Sequence, residues 1–183
     1  FKLCNQSIVS DQKTLKTLKT NKIYNVCLIP NPISFSLENL AMQNRELPKS
    51  LDTSNFIFLG HIIPAKGITE LIKACSLVKF KIKLILIGPI SNSYKKEIES
   101  FITSNKMNDF VEFKGEIKRD KVFEYIKEAK ALCLPSYTEA FPNVILEAMS
   151  LKCPVIATNV GAIKEMINST DYGNAGICID KKN

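Results

Sequence analysis

The stretch FIFLGHIIPAKGITELIKACSLVKFKIKLILIGP, residues 56–89, decides the fold. It opens on one continuous apolar run, FIFLG at 56–60, and closes on another, KLILIG at 83–88. Runs without polar alternation suit strands buried on both faces. Between them Ile68, Leu71, Ile72, Cys75 and Val78 recur at the i, i+3, i+4, i+7 spacing of a helix with one face on a core. The same order repeats downstream. FVEFKG at 110–115, ALCLPS at 131–136, PVIAT at 154–158 and AGICI at 175–179 read as further strands. Two more helical stripes lie between them, Tyr94, Ile98, Phe101 and Ile102, then Val122, Phe123, Ile126 and Ala129. Alternation of this kind predicts an α/β fold, a doubly wound parallel sheet with right-handed crossovers and helices on both faces. Ligands of such sheets bind beyond the carboxyl ends of the strands, so the chemistry belongs in the loops that follow them.

The 183 residues are 45% hydrophobic and 23% charged, with a mean hydropathy of +0.02, as expected of one soluble domain with an extra segment. No apolar run reaches the roughly 18–20 residues of a bilayer span, and no basic segment followed by an apolar one opens the chain. The expected location is the cytoplasm, extending to the cytoplasmic face of a membrane. The chain starts at Phe1 and stops at Lys181, Lys182 and Asn183 just after a strand, which reads as part of a longer protein truncated at its C-terminus. Residues 1–55 differ in character. They hold a strand-like segment, a lysine and threonine stretch with a short TLK repeat, and a second strand-like run ending at Pro30, Asn31 and Pro32. Residues 36–55 are polar and read as a linker, which leaves residues 1–35 as the end of a preceding domain with its junction, and residues 56–183 as the main domain.

A net charge of +7 rests on scattered lysines, with only Arg45 and Arg119 as guanidinium groups and no aromatic residues interleaved in a basic cluster. That argues against nucleic acid and suits an anionic small substrate, an acidic membrane surface or merely a solvated face. Cys4, Cys27, Cys75, Cys133, Cys153 and Cys178 form no CxxC pair and sit in apolar surroundings, as reduced core residues do. With His61 the single histidine, no zinc-ligand spacing exists, and no metal or cofactor is expected.

Two loops can carry chemistry. GHIIPAKG, residues 60–67, links the first core strand to its helix; Gly60 allows close backbone approach, and Lys66 beside a helix N-terminus suits an anion. It lacks the order of a P-loop, and taken alone Lys66 is equally a solvated lysine and His61 a turn residue. EAFPNVILEAMS, residues 139–150, places Glu139 before a turn and Glu147 inside a helix with Pro142 at its first position. The first amides of that helix point out of the strand end. A diphosphate there would leave Glu139 and Glu147 to accept hydroxyls from the two ends of the ligand. The plain alternative makes Glu139 a partner of the helix dipole and Glu147 a surface residue.

GHIIPAKG, LILIGP, VEFKGEI, CLPSYTEAFPNVILEAMSLKCPVIATNVGAIKEMI and GNAGICID, in this order, resemble the nucleotide-sugar-binding half of retaining glycosyltransferases of family 4, also called group 1. VCLIPNPI, residues 26–33, resembles the junction between that family's two domains. The E-x7-E pair inside PSYTEAFPNVILEAM is the most specific element. The resemblance implies one Rossmann-like half of a GT-B fold. It implies that Lys66 binds the donor diphosphate with the backbone amides of Phe141, Asn143 and Val144, next to Pro142. Glu139 would hold hydroxyls of the transferred sugar and Glu147 those of the ribose. Glu116 and Ile117 would meet the nucleobase, and Gly60, His61, Gly88 and Pro89 would line the pocket. The family carries arginine where this chain has His61, so a second fixed positive charge on the diphosphate is missing whenever the imidazole is neutral. No DxD motif occurs, so Lys66 and the helix N-terminus would stabilise the leaving group, and Lys66 and Glu139 would carry catalysis. The implied donor is a UDP-, GDP- or ADP-sugar. The implied acceptor is a saccharide or lipid-linked acceptor bound by an N-terminal domain missing here, in polysaccharide biosynthesis, with peripheral membrane association compatible with the lysines. The chain alone would bind donor without turnover. A non-catalytic nucleotide or sugar-phosphate binding module and a lysine-rich interaction domain are the competing readings.

Overall fold

The computed structural model describes residues 7–10, 12–29, 54–168 and 174–180. The first part is a small unit of its own, β1 (Ser7–Val9), α1 (Gln12–Thr20) and β2 (Val26–Leu28). Its strands pair in parallel with Ile8 opposite Cys27. The lysine and threonine stretch is therefore a crossover helix. Its apolar positions are only Leu15 and Leu18, none of its residues is buried, and threonine is a weak helix former, so no stripe marked it in the sequence. Thr17 and Thr20 instead satisfy themselves on the carbonyls of Lys13 and Lys16. Cys4, the rest of the junction at residues 30–35 and linker residues 36–53 lie outside the described residues.

The main unit runs β3 (Ser54–Leu59), α2 (Ile68–Ser76), β4 (Ile82–Ile87), α3 (Asn92–Ser104), β5 (Val111–Gly115), α4 (Arg119–Glu128), β6 (Ala131–Leu134), α5 (Asn143–Ser150), β7 (Val155–Thr158), α6 (Ile163–Asn168) and β8 (Gly176–Ile179). Ser54 and Asn55, assigned above to the linker, already belong to β3. Among the described residues the strands form one six-stranded parallel sheet in the order β5-β4-β3-β6-β7-β8. Winding starts at β3, moves outward to β5, returns to β6 and moves outward again to β8. This is the doubly wound, Rossmann-like order, and it places a crevice between the carboxyl ends of β3 and β6. Right-handed crossovers put α2 and α3 on one face and α4, α5 and α6 on the other. Across the first face the hydroxyls of Thr69 and Tyr94 meet at 3.2 Å.

Ile57 and Phe58 of β3, Leu84 and Leu86 of β4, Leu132 of β6 and Val155 and Ala157 of β7 are wholly buried. From the helices Ile68, Ile72, Tyr94, Ile98, Ile102, Phe123, Ile126, Ile145 and Ile163 join this core. Burial on both faces holds for these central strands and fails at the two edges. β5 is half-buried throughout, and β8 alternates, with Ile177 62% exposed, because an edge strand has a neighbour on one side only. Two helix boundaries also differ from expectation. α2 stops at Ser76, so Val78 falls outside the stripe and is exposed. Pro142 is an extended N-cap (φ −75°, ψ 112°), so α5 begins one residue after it.

Cys133 and Cys153 are buried, while Cys27, Cys75 and Cys178 are half-buried and unpaired. Burial pushes the Cys75 thiol up to about 11 and the Cys133 thiol up to about 12, so both are protonated and unreactive at neutral pH. Three lysines, Lys22, Lys106 and Lys152, hold a positive φ and are stability liabilities. Lys106 follows the end of α3 with φ +55°, a left-handed conformation that favours glycine. Lys106→Gly is expected to stabilise the fold by about 0.5–1 kcal/mol, read as a raised urea midpoint at unchanged slope.

Candidate functional site

The crevice is built from loops that end adjacent strands. Gly60 closes β3 and donates its amide to Ile87, and Gly88 closes β4 and donates to Gly115, at 3.0 and 2.8 Å. A Cβ on Gly88 would lie 2.0 Å from the Gly60 carbonyl oxygen, so only bare backbone lets these strand ends approach. The Pro89 carbonyl in turn accepts from Ile62 at 2.8 Å. Gly60, Gly88 and Pro89 therefore lie side by side as one floor. Glu116 and Ile117 follow β5 directly; Glu116 is exposed and Ile117 leans on the core.

Lys66 ends a short 3-10 turn, Pro64–Lys66, closed by the amides of Lys66 and Gly67 on the carbonyls of Ile63 and Pro64. These two amides are thus committed within the turn; the lysine side chain remains. Its Nζ meets Glu139 Oε1 at 2.6 Å, the two side chains being 23% and 11% exposed. Ser136, fully buried, donates its hydroxyl to the same Oε1 at 2.7 Å. Two further contacts hold the β3 and β6 loops together. Tyr137 donates its amide to the Ala65 carbonyl at 2.9 Å, and Gly67, with φ +67°, sits where a Cβ would be 2.3 Å from the Pro135 carbonyl oxygen. The loop after β7 supports the other side. Ala162 donates to the Ala140 carbonyl, and Gly161 lies where a Cβ would be 2.2 Å from the Glu139 carbonyl oxygen.

Glu147 does not join this cluster. It bonds Arg119 at 2.8 Å, being itself 15% exposed against 59% for the arginine. Arg119 comes from the first residue of α4 and also lies over the Phe123 ring, 5.5 Å from its centroid. Burial raises the Glu147 carboxyl above its ordinary range, and the Arg119 guanidinium pulls it back down. A carboxyl raised by folding binds its proton more tightly in the native state, so its contribution to stability falls as pH rises through that range. Arg119→Met removes the opposing charge. It is expected to cost about 1 kcal/mol at pH 7 and nothing below about pH 3, where the carboxyl is protonated in both states; denaturant melts at the two pH values check this.

Of the remaining expected residues, Phe141 and Val144 rest partly on the core at the start of α5, while Asn143 and His61 are exposed. The structure therefore brings Lys66 to Glu139, and Gly60 to Gly88 and Pro89, but holds Glu147 on a separate partner. Ser136, Arg119 and Gly161 escaped the sequence reading. A serine three residues before Glu139 at the end of a buried strand was the available signal for the first. One of just two arginines at a helix start was the signal for the second.

A family profile described as glycosyl transferases group 1 matches residues 42–183. The chain belongs to the group 1 glycosyltransferases. An uncharacterized glycosyltransferase of Methanocaldococcus jannaschii is 32% identical over 177 residues, covering 92% of this chain and 48% of that protein. The capsular polysaccharide biosynthesis glycosyltransferase CapM of Staphylococcus aureus is 28% identical over 196 residues, covering 97% of this chain and 49% of that protein. Among solved structures, Anabaena HepE in complex with UDP matches with a TM-score of 0.78 at 19% identity, over 100% of this chain and 51% of that one. This group 1 glycosyltransferase chain thus spans about half the length of these proteins. Its six-stranded sheet is the Rossmann-like half of a GT-B fold. Among the described residues no helix is long and apolar enough to cross a membrane.

Proposed function

We propose that this chain is the donor-binding half of a glycosyltransferase that takes a nucleotide sugar and transfers the sugar with retention of anomeric configuration. One observation carries the reading. Lys66 and Glu139, 73 positions apart, meet at 2.6 Å at the carboxyl ends of β3 and β6, where a doubly wound sheet binds its ligands. HepE, a relative in fold, was solved with UDP and glucose, which supports a nucleoside diphosphate as the common part of the donor.

In this reading the donor diphosphate lies between Lys66 and the N-terminus of α5. Lys66 turns from Glu139 to the phosphate and, with the amides near Asn143 and Val144, stabilises the charge that gathers as the C1–oxygen bond breaks. Glu139 then faces the hydroxyls of the sugar and orients it, while Glu147, steadied by Arg119, takes the ribose hydroxyls. Glu116 and Ile117 border the nucleobase, and Gly88 and Pro89 line the pocket. The acceptor, a saccharide or a lipid-linked one, approaches from the other half of the protein on the face that the leaving group vacates. CapM, by its name an enzyme of capsular polysaccharide biosynthesis, supports a glycan as product.

Titration of the protein with UDP, GDP, ADP and their sugars, with and without EDTA, tests this. Saturable binding of one nucleoside diphosphate that survives the chelator is the expected result. Binding of none overturns the assignment, and binding without transfer by the full-length parent leaves a nucleotide-binding module. His61→Arg adds the missing fixed charge next to the diphosphate. It is expected to tighten nucleoside diphosphate binding by about three- to tenfold, as measured by calorimetry.

A further inference from the structure

Ser136 and Thr158 are buried polar residues in this core, and both lead to Glu139. Thr158 donates its hydroxyl to the Ser136 carbonyl, and Ser136 donates its own to Glu139 Oε1 at 2.7 Å. Ser136 is 0% exposed, so its hydroxyl is shut off from bulk solvent, and the Thr158 bond fixes the backbone from which it projects. Lys66 bonds the same oxygen at 2.6 Å. The two donors fill the acceptor sites of Oε1, and neither bond involves Oε2, whose lone pairs face no competitor from this pair.

We infer that Ser136 is the positioning residue of Glu139, holding Oε1 so that Oε2 is presented to the transferred sugar after Lys66 has turned to the diphosphate. The inference rests on the donor-binding reading above. Its physical basis is the double duty of Lys66. An ammonium that leaves for a phosphate deprives Glu139 of its first bond, and a carboxylate on three side-chain torsions would then lose its aim. A neutral hydroxyl is not drawn to phosphate. It therefore keeps the carboxylate in place in the loaded state, with Thr158 and the loop at Gly161 supporting the backbone on both sides.

The test compares binding of each nucleoside diphosphate with that of its sugar, UDP against UDP-glucose, GDP against GDP-mannose and ADP against ADP-glucose. It uses wild type, Ser136→Ala, Glu139→Gln and the double variant of the full chain. Ser136→Ala is expected to leave nucleoside diphosphate affinity within about twofold and to weaken the matching nucleotide sugar by about tenfold. The double variant is expected to bind the sugar donor no more weakly than Glu139→Gln alone, because the two residues act as one unit. Equal weakening of nucleotide and nucleotide sugar, or additive losses in the double variant, would mean that Ser136 merely supports the fold, and would overturn the proposal. If the alanine variant does not fold, Ser136→Cys, with the same shape and a weaker donor, is read by the same criterion. A wild type that binds no member of the panel overturns the donor-binding reading itself, and the role of Ser136 with it.

Discussion

Glu139→Gln is expected to abolish sugar transfer by the full-length protein, lowering kcat by at least about 10³-fold, while leaving nucleoside diphosphate affinity within about threefold. Glutamine matches the carboxylate in shape, and its amide oxygen can still accept from Lys66 and Ser136, which now bond Oε1 at 2.6 and 2.7 Å. The other end of the side chain then presents an N–H₂ donor where an anionic acceptor stood. The sugar loses both its hydroxyl acceptor and the negative charge beside the carbon that turns positive as its bond to the diphosphate lengthens. The diphosphate loses nothing, because Lys66 is no longer held by a full charge. Single-turnover kinetics together with calorimetry separate the two effects. Unchanged turnover would remove Glu139 from the site.

Gly67→Ala is expected to cost about 2–4 kcal/mol, lowering the melting temperature by about 5–15 °C for a chain of this length. It is also expected to weaken nucleoside diphosphate binding by more than about tenfold. The added methyl would start 2.3 Å from the Pro135 carbonyl oxygen, on a backbone already at φ +67°. All the nearest atoms belong to Pro135, two of them backbone and none a flexible side-chain end, so the β3 and β6 loops must part. Parting them stretches the amide bond from Tyr137 to Ala65 and draws Lys66 away from Glu139. Gly115→Ala is the matching control. Its φ is +64°, yet a Cβ there meets nothing within 4 Å, so it bears the conformational cost of about 1 kcal/mol without the collision. Similar losses in both variants would show that the Gly67 contact is not what joins the loops.

The central strands and the stripes of α2, α3 and α4 were legible because both faces of each strand and one face of each helix meet apolar neighbours. Ile57, Leu84 and Leu132 need no partner to be named before they read as core. β8 was legible as a strand but not as an edge, since Ile177 looks the same in sequence whether its face is covered or 62% exposed. α1 escaped because its Leu15 and Leu18 are too few to make a stripe. The site divides in the same manner. Lys66, Glu139 and Glu147 could be marked from their motifs, but not their partners. The Lys66–Glu139 contact is created by the adjacency of β3 and β6, which the winding order sets and no local spacing encodes. The pairing of Glu147 with Arg119, 28 positions away, arises where α4 and α5 lie on one face. For Ser136 the spacing of three residues was there to be seen, but its bond to Glu139 depends on how the chain turns after β6.

The ion pair at the mouth of the crevice shapes how an anion arrives. With Lys66 neutralised by its carboxylate neighbour, the crevice offers little long-range attraction, whatever the chain's overall excess of +7 does at its periphery. Encounter is left to ordinary diffusion and to the outlying lysines, whose pull dies away over about 8 Å in physiological salt. On the proposed reading the strong charge contact forms only after arrival, when the ammonium exchanges one anion for another. Salt should therefore slow the approach of donor slightly and leave the lifetime of the bound state almost untouched.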